Sequence, residues 1–170
     1  MGRMTIGLAI VAAMATLAAS CGGGGGGGTS SSGALSKQDF ISQADAICTK
    51  HDEQFASEVQ LTFPNGDPTS ASMSVDDVKA FQDPLSATKD LRGDQVGELR
   101  ALTPPWDFQE QWDTTLTDLD SSVEALGEAA DAAGTADREG LTAAFKKVQT
   151  TTDDANQIAK DYGFQVCFQS

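Results

Sequence analysis

The feature that most constrains the fold is a seven-residue repeat of apolar positions in the C-terminal third of this 170-residue chain. From Trp112 to Ala133, and again from Leu141 to Tyr162, these positions are separated alternately by four and three residues. Because an α-helix turns every 3.6 residues, such positions lie on one helix face. Two helices with matched repeats and a short connection pack as an antiparallel pair. We therefore predict two long helices that meet near Gly134.

A further helix is predicted near the middle of the first half of the chain. It begins at Ser36, where Asp39 three residues later completes a capping box, and its apolar face continues to Val59. Residues 62–72 contain two prolines and a glycine, which predicts a turn-rich loop. We expect this loop and the start of the next helix to be the least stable part of the domain.

The second predicted helix runs from Ser74 to Leu102 and contains three residues that are unfavourable in a helix, Pro84, Gly93 and Gly97. Pro84 removes a backbone donor and predicts a kink or break near Asp83, while Gly93 predicts a second weak point.

The boundaries of the last two helices are predicted from capping residues. Thr103 is a good N-cap, and the two prolines that follow fall where backbone donors have no partner. Gly163 is suited to end the last helix in the left-handed conformation. No stretch alternates with a period of two, so the predicted fold is all-α, an antiparallel four-helix bundle over residues 36–170.

The first 20 residues have the pattern of a bacterial export signal. An uncharged apolar run follows Arg3 and ends in small residues directly before Cys21. The run is too short for a membrane-spanning helix, which needs about 20 residues. Residues 17–21 resemble the lipobox of bacterial lipoproteins, although Ala18 stands where a larger aliphatic residue is usual. We predict cleavage before Cys21 and lipidation of Cys21; an ordinary cleaved signal with a chance cysteine is the alternative.

Residues 21–35 are predicted to form a flexible linker. Seven consecutive glycines follow Cys21, and such a segment cannot bury enough apolar area to offset the entropy of ordering it. Its root-mean-square reach is roughly 20 Å. A lipidated cysteine with this linker would hold the folded domain close to the extracytoplasmic face of the cell membrane.

The charge balance excludes one class of partner. The chain has 11 basic and 25 acidic residues, and Arg3 is the only charged residue among the first 20, so the processed chain has a formal charge of −15. Nucleic acid would be repelled by this charge rather than neutralised. The acidic residues are dispersed along the chain, which is typical of a soluble domain.

The remaining cysteines, Cys48 and Cys167, form an even pair in an exported chain. We predict a structural disulfide between them, since export places a protein in an oxidising compartment. Two free thiols or a redox pair are the alternatives, but there is no Cys-x-x-Cys motif.

Three segments carry a resemblance to a known group. They are an Ala-Asp-x-Ile-Cys near the start of the domain, a Leu-x-x-Leu-x-Pro-Pro at residues 99–105 and a Gly-Phe-x-x-Cys at its end. Together they resemble a widespread group of uncharacterised actinobacterial secreted proteins and lipoproteins. The resemblance implies a helical extracytoplasmic domain with one disulfide and implies no activity.

Candidate catalytic and cofactor residues are few. His51 is the only histidine, and a metal site that included it and Cys48 would have Cys167 as its only further soft ligand. We predict no cofactor, no metal and no enzymatic activity. Trp106, Phe108 and Trp112 could form an aromatic platform, but their spacing favours a core role.

The function expected from these features is a membrane-anchored binding or interaction module of the cell envelope. Its partner would be an envelope protein, a peptide or a glycan. The alternative is an extracytoplasmic hydrolase or metal-dependent enzyme, which a concave pocket holding His51 with two or more carboxylates would favour.

Overall fold

The computed structural model describes residues 34–59, 69 and 72–167. The predicted signal peptide, Cys21, the linker up to residue 33 and nearly all of the loop 62–72 lie outside the described residues. The described part contains no strand, and its helices are α1 (Lys37–Val59), α2 (Val75–Lys79), α3 (Gln82–Arg100), α4 (Gln109–Thr135) and α5 (Arg138–Tyr162). The all-α prediction is confirmed.

The four long helices form an up-down-up-down bundle in which each packs antiparallel to the next. Ion pairs between neighbouring helices join Lys50 with Glu98, Asp52 with Arg92, Arg100 with Asp120, and Glu128 with Lys147. The last turn of α5 returns to the start of α1, where Lys37 lies over the Tyr162 ring. The short α2 is an additional segment that packs on α4.

The predicted start of the first helix and the predicted end of the last helix agree with the structure. The Asp39 backbone N–H donates to the Ser36 hydroxyl at 3.2 Å. Gly163 ends α5 in the left-handed conformation, with φ 109°. Leu35, which we placed in the linker, donates its N–H to the Thr103 carbonyl at 3.3 Å and packs against the core, so the ordered chain begins before Ser36.

The second predicted helix breaks earlier than expected. The interruption lies at Ala80 and Phe81, between α2 and α3, and Pro84 occupies the first turn of α3, where its missing N–H costs no hydrogen bond. At Gly93, the second predicted weak point, the helix is not interrupted, and α3 continues to Arg100. Val78 of α2 is fully buried, so α2 is held on the bundle by packing.

The start of the third predicted helix is also corrected. Thr103 does not cap it; the chain forms a turn in which the Phe108 N–H donates to the Pro105 carbonyl, and α4 begins at Gln109. The reason is that Pro104 would be the first helical residue after a Thr103 cap, and the helical conformation is disfavoured at Pro104 because Pro105 follows it.

The connection between α4 and α5 differs in one residue from the prediction. α4 continues one residue past Gly134, to Thr135, and Ala136 then adopts the left-handed conformation, with φ 56°. A Cβ atom at Gly134 would come within 2.7 Å of the amide end of the exposed Gln82 side chain, which packs against α4 at this point.

The apolar core is divided into two clusters. The first, at the end where α5 returns to α1, is built around an aromatic group: Phe40, Phe108, Trp112 and Phe164. The second, at the opposite end, packs α2 and the start of α3 on α4 and α5 through small residues such as Ala129 and Ala133, and it contains no residue of α1. The segment Ser31–Ser170 is one compact unit that holds both clusters and the disulfide, so it has what a domain needs to fold by itself.

Candidate functional site

A cavity of about 760 Å³ lies inside the bundle between the two core clusters. All four long helices contribute to its wall, and the C-terminal segment contributes Gln165 and Val166. It exists because α1 and α5 are joined at one end and do not pack along their length in the described part of the chain. Its volume is within the range of small-molecule pockets, roughly 300–1,000 Å³.

The apolar part of the cavity wall comes from residues of the predicted helix faces: Val96, Leu119, Val123, Leu126 and Val148. These side chains belong to the rims of the two clusters. In an ordinary protein interior, voids much larger than a water molecule are rare. The cavity has largely apolar sides and is open to solvent beside Asp52, whose side chain is half-exposed.

Several polar side chains of the wall are hydrogen-bonded within the protein. The Thr88 hydroxyl donates to the Pro84 carbonyl at 2.9 Å, and the Ser122 and Thr152 hydroxyls lie 3.3 Å apart. Gln95, only 6% exposed, accepts a hydrogen bond from Arg92 at 2.7 Å. None of these groups therefore requires a polar ligand.

Arg92 is the cation in the wall of this cavity. Its guanidinium carbon lies 4.7 Å from the centre of the Phe55 ring, and Nη1 lies 3.5 Å from the Asp52 carboxylate. The Asp52 side chain is 53% exposed and the Arg92 side chain 35%, so the arginine is the more deeply placed partner. The ion pair is long and is weak by the standards of exposed pairs.

The predicted disulfide between Cys48 and Cys167 is present, with a Cα–Cα distance of 5.2 Å. It joins α1 to the segment that follows α5. The Asp45 carboxylate reinforces this joint, because it accepts hydrogen bonds from the backbone N–H groups of Gln165, Val166 and Cys167 at 2.9–3.1 Å. Since Cys48 also lines the cavity, this joint forms one end of it.

His51 does not face the cavity. It is buried in a shallow groove on the outside of α1 and α3, where its Nε2 lies 3.2 Å from Glu98. The hydrogen bond that Lys50 donates to Glu98, with a smaller contribution from His51, lowers the pKa of this carboxyl. Asp94 lines the same groove, so His51 does share a concave surface with two carboxylates.

This groove lacks the other components of a hydrolytic or metal site. The residues that line it include no serine, threonine or cysteine that could act as a nucleophile beside His51. Across the described residues there is also no group of three or more His, Cys, Asp or Glu side chains arranged to hold a metal ion.

The three aromatic residues at the start of α4 are separated by the fold. Phe108 and Trp112 are buried in the first cluster, where both contact Phe40. Trp106 is 86% exposed and lies beside the acidic residues Asp113 and Asp118 on the surface of α4. Of the three, only Trp106 is exposed, so these side chains do not form a shared aromatic platform on the surface.

Comparison with known proteins adds no identity to this geometry. No protein-family model, no curated protein and no solved structure matches the chain. Within the described residues, none of the helices combines the length and the apolar character needed to cross a membrane.

Sequence reasoning missed the cavity and its arginine. Cys48 was singled out and does line the cavity, whereas Arg92, Asp52 and Gln95 were not singled out. A weak signal existed, because the predicted second helix places Arg92 one turn before the core residue Val96. Arg92 lines a cavity only because α1 and α5 stand apart, and no local sequence pattern predicts that separation.

Proposed function

We propose that this chain is a lipid-anchored binding module of the extracytoplasmic face of the cell membrane, and that it holds a small, largely apolar ligand in the central cavity. The observation that carries the proposal is the cavity of about 760 Å³ between the two core clusters, with an apolar wall drawn from α3, α4 and α5. The apolar run before Cys21, the lipobox-like residues and the linker support the location. Membership of the actinobacterial lipoprotein group named above is part of the proposal.

The anchor is the first testable part. Cys21 of the mature protein is expected to carry a diacylglyceryl group, with residues 1–20 removed, because the apolar run ends in small residues directly before it. The intact mass of the protein from the membrane fraction measures this. Cys21→Ala should either release the domain from the membrane or leave an uncleaved precursor. A soluble wild-type protein that begins at another residue would contradict the proposal.

The cavity is the second testable part. The isolated domain, residues 31–170, is expected to bind the neutral probes 1-aminoanthracene and hexadecan-1-ol. Thr152→Phe places a ring inside the cavity and should abolish this binding, because Thr152 lines the wall. The matched control is Thr150→Phe on the exposed side of the same helix, which should bind as the wild type does.

The binding test needs a check on the fold and an outcome that would contradict it. Thermal unfolding of both variants checks that loss of binding does not reflect loss of fold. Equal binding by wild type and Thr152→Phe would show that the probes bind elsewhere and would contradict a ligand site in the cavity.

The enzymatic alternative rests on the groove that holds His51, Glu98 and Asp94. In that groove the Lys50 Nζ already lies 2.6 Å from the Glu98 carboxylate, so the carboxylate that contacts His51 is engaged in an ion pair. The cavity has the larger volume, about 760 Å³ against about 470 Å³ for the groove, and the more apolar wall. We therefore assign the binding function to the cavity.

A further inference from the structure

We propose that the ligand of the cavity is a single-chain amphiphile with an anionic head, such as a long-chain carboxylate, whose head binds Arg92 and whose chain lies along the apolar wall. This inference rests on the proposed function and specifies the chemical class of the ligand.

The first step concerns the hydrogen-bonding capacity of Arg92. A guanidinium group has five N–H donors. In the described part of the chain, both hydrogen bonds of Arg92, to Gln95 and to Asp52, use Nη1. The Nε and Nη2 donors are therefore available, and together they match the two oxygens of a carboxylate or phosphate.

The second step concerns how Arg92 is held. The Gln95 side chain accepts a hydrogen bond from Nη1 at 2.7 Å, and the guanidinium carbon lies over the Phe55 ring, 4.7 Å from its centre. These contacts orient the group before any ligand arrives, which reduces the entropy lost on binding. An anion also competes well with Asp52, because the Nη1–Oδ1 distance of 3.5 Å is at the limit of a hydrogen bond.

The third step concerns the rest of the ligand. The buried hydroxyls of Thr88 and Ser122 are already hydrogen-bonded, and the rest of the inner wall is mainly apolar, with Asn156 as a further polar side chain. Beyond Arg92, the side chains of Val96, Leu126 and Val148 line a space long enough to be shared between both core clusters. Each methylene buried there stabilises the complex, which favours an alkyl chain. A polar head at one point and an apolar body elsewhere define an amphiphile.

The test compares three probes with the same chain length on the isolated domain: hexadecanoate, hexadecan-1-ol and hexadecyltrimethylammonium, each by displacement of 1-aminoanthracene. We expect hexadecanoate to bind most tightly. Arg92→Gln should weaken hexadecanoate binding on the order of tenfold, as expected for hydrogen bonds to a charged group, and leave hexadecan-1-ol binding within about twofold. Arg92→Lys should retain part of the preference.

The matched control is Arg100→Gln, which removes the same charge from an exposed pair with Asp120 outside the cavity. It should change no affinity by more than about twofold, so that a loss in Arg92→Gln alone cannot come from net charge. Circular dichroism and thermal unfolding of each variant verify the fold.

The outcomes separate the two proposals. If hexadecanoate and hexadecan-1-ol bind equally and Arg92→Gln changes neither, or if the cationic probe binds best, the anionic head is wrong and the apolar site stands. If none of the three probes binds the wild-type domain, both this inference and the cavity site are overturned.

Discussion

Replacing Cys48 and Cys167 together by alanine is expected to lower the free energy of unfolding of the domain by about 4 kcal/mol. The disulfide joins residues 119 positions apart, and the chain-entropy model gives about 4–5 kcal/mol for a loop of that length. The disulfide crosslinks α1 to the segment that follows α5, at one end of the cavity. Urea denaturation of residues 31–170 measures the change.

The control for this experiment is the wild-type domain under a strong reductant. It should lose most of the stability that the double variant loses, because reduction removes the bond but keeps the buried sulfur atoms that alanine lacks. The Asp45 carboxylate still accepts three backbone hydrogen bonds from residues 165–167 in both cases, so the C-terminal segment should stay close to α1 in the native state. A loss below about 1 kcal/mol in both samples would mean that the chain-entropy account does not apply here.

Trp112→Ala is expected to cost about 3–5 kcal/mol of stability, as is usual for truncating a buried aromatic side chain. Trp112 is 1% exposed, and its ring packs edge-on against Phe40 with the ring centres 4.9 Å apart. Its Nε1 makes no hydrogen bond within the described residues, so the loss comes from packing alone.

The chain provides a matched control six residues away. Trp106→Ala removes the same atoms from a side chain that is 86% exposed, and it should change stability by less than about 0.5 kcal/mol. Denaturant unfolding of both variants, followed by far-ultraviolet circular dichroism, gives the comparison. Similar losses in the two variants would contradict the assignment of Trp112 to the core and Trp106 to the surface.

The helical fold could be predicted because its signals are local. The repeats from Trp112 to Ala133 and from Leu141 to Tyr162 place apolar side chains on one face whatever the rest of the chain does. The disulfide could be predicted without a structure, because only Cys48 and Cys167 remain once Cys21 is assigned to the lipid.

The helix boundaries were less predictable where two signals compete. Thr103 has the side chain of an N-cap, yet the prolines after it favour extended backbone, and its carbonyl accepts a hydrogen bond from Leu35, which is distant in sequence. Similarly, Pro84 is compatible with the first turn of a helix, so the break moved to Ala80 and Phe81.

The sequence by itself therefore determined the fold class, the four long helices and the disulfide, because each depends on residue spacing along one segment or on a pair of residue types. Only the tertiary structure decided that the core divides into two clusters, that α1 and α5 stand apart between them, and that Arg92 faces the resulting cavity. The physical reason is that a cavity is a relation among side chains on several helices. Its volume depends on how closely those helices approach, and that approach is set by contacts between distant segments, such as Asp45 with the C-terminal segment.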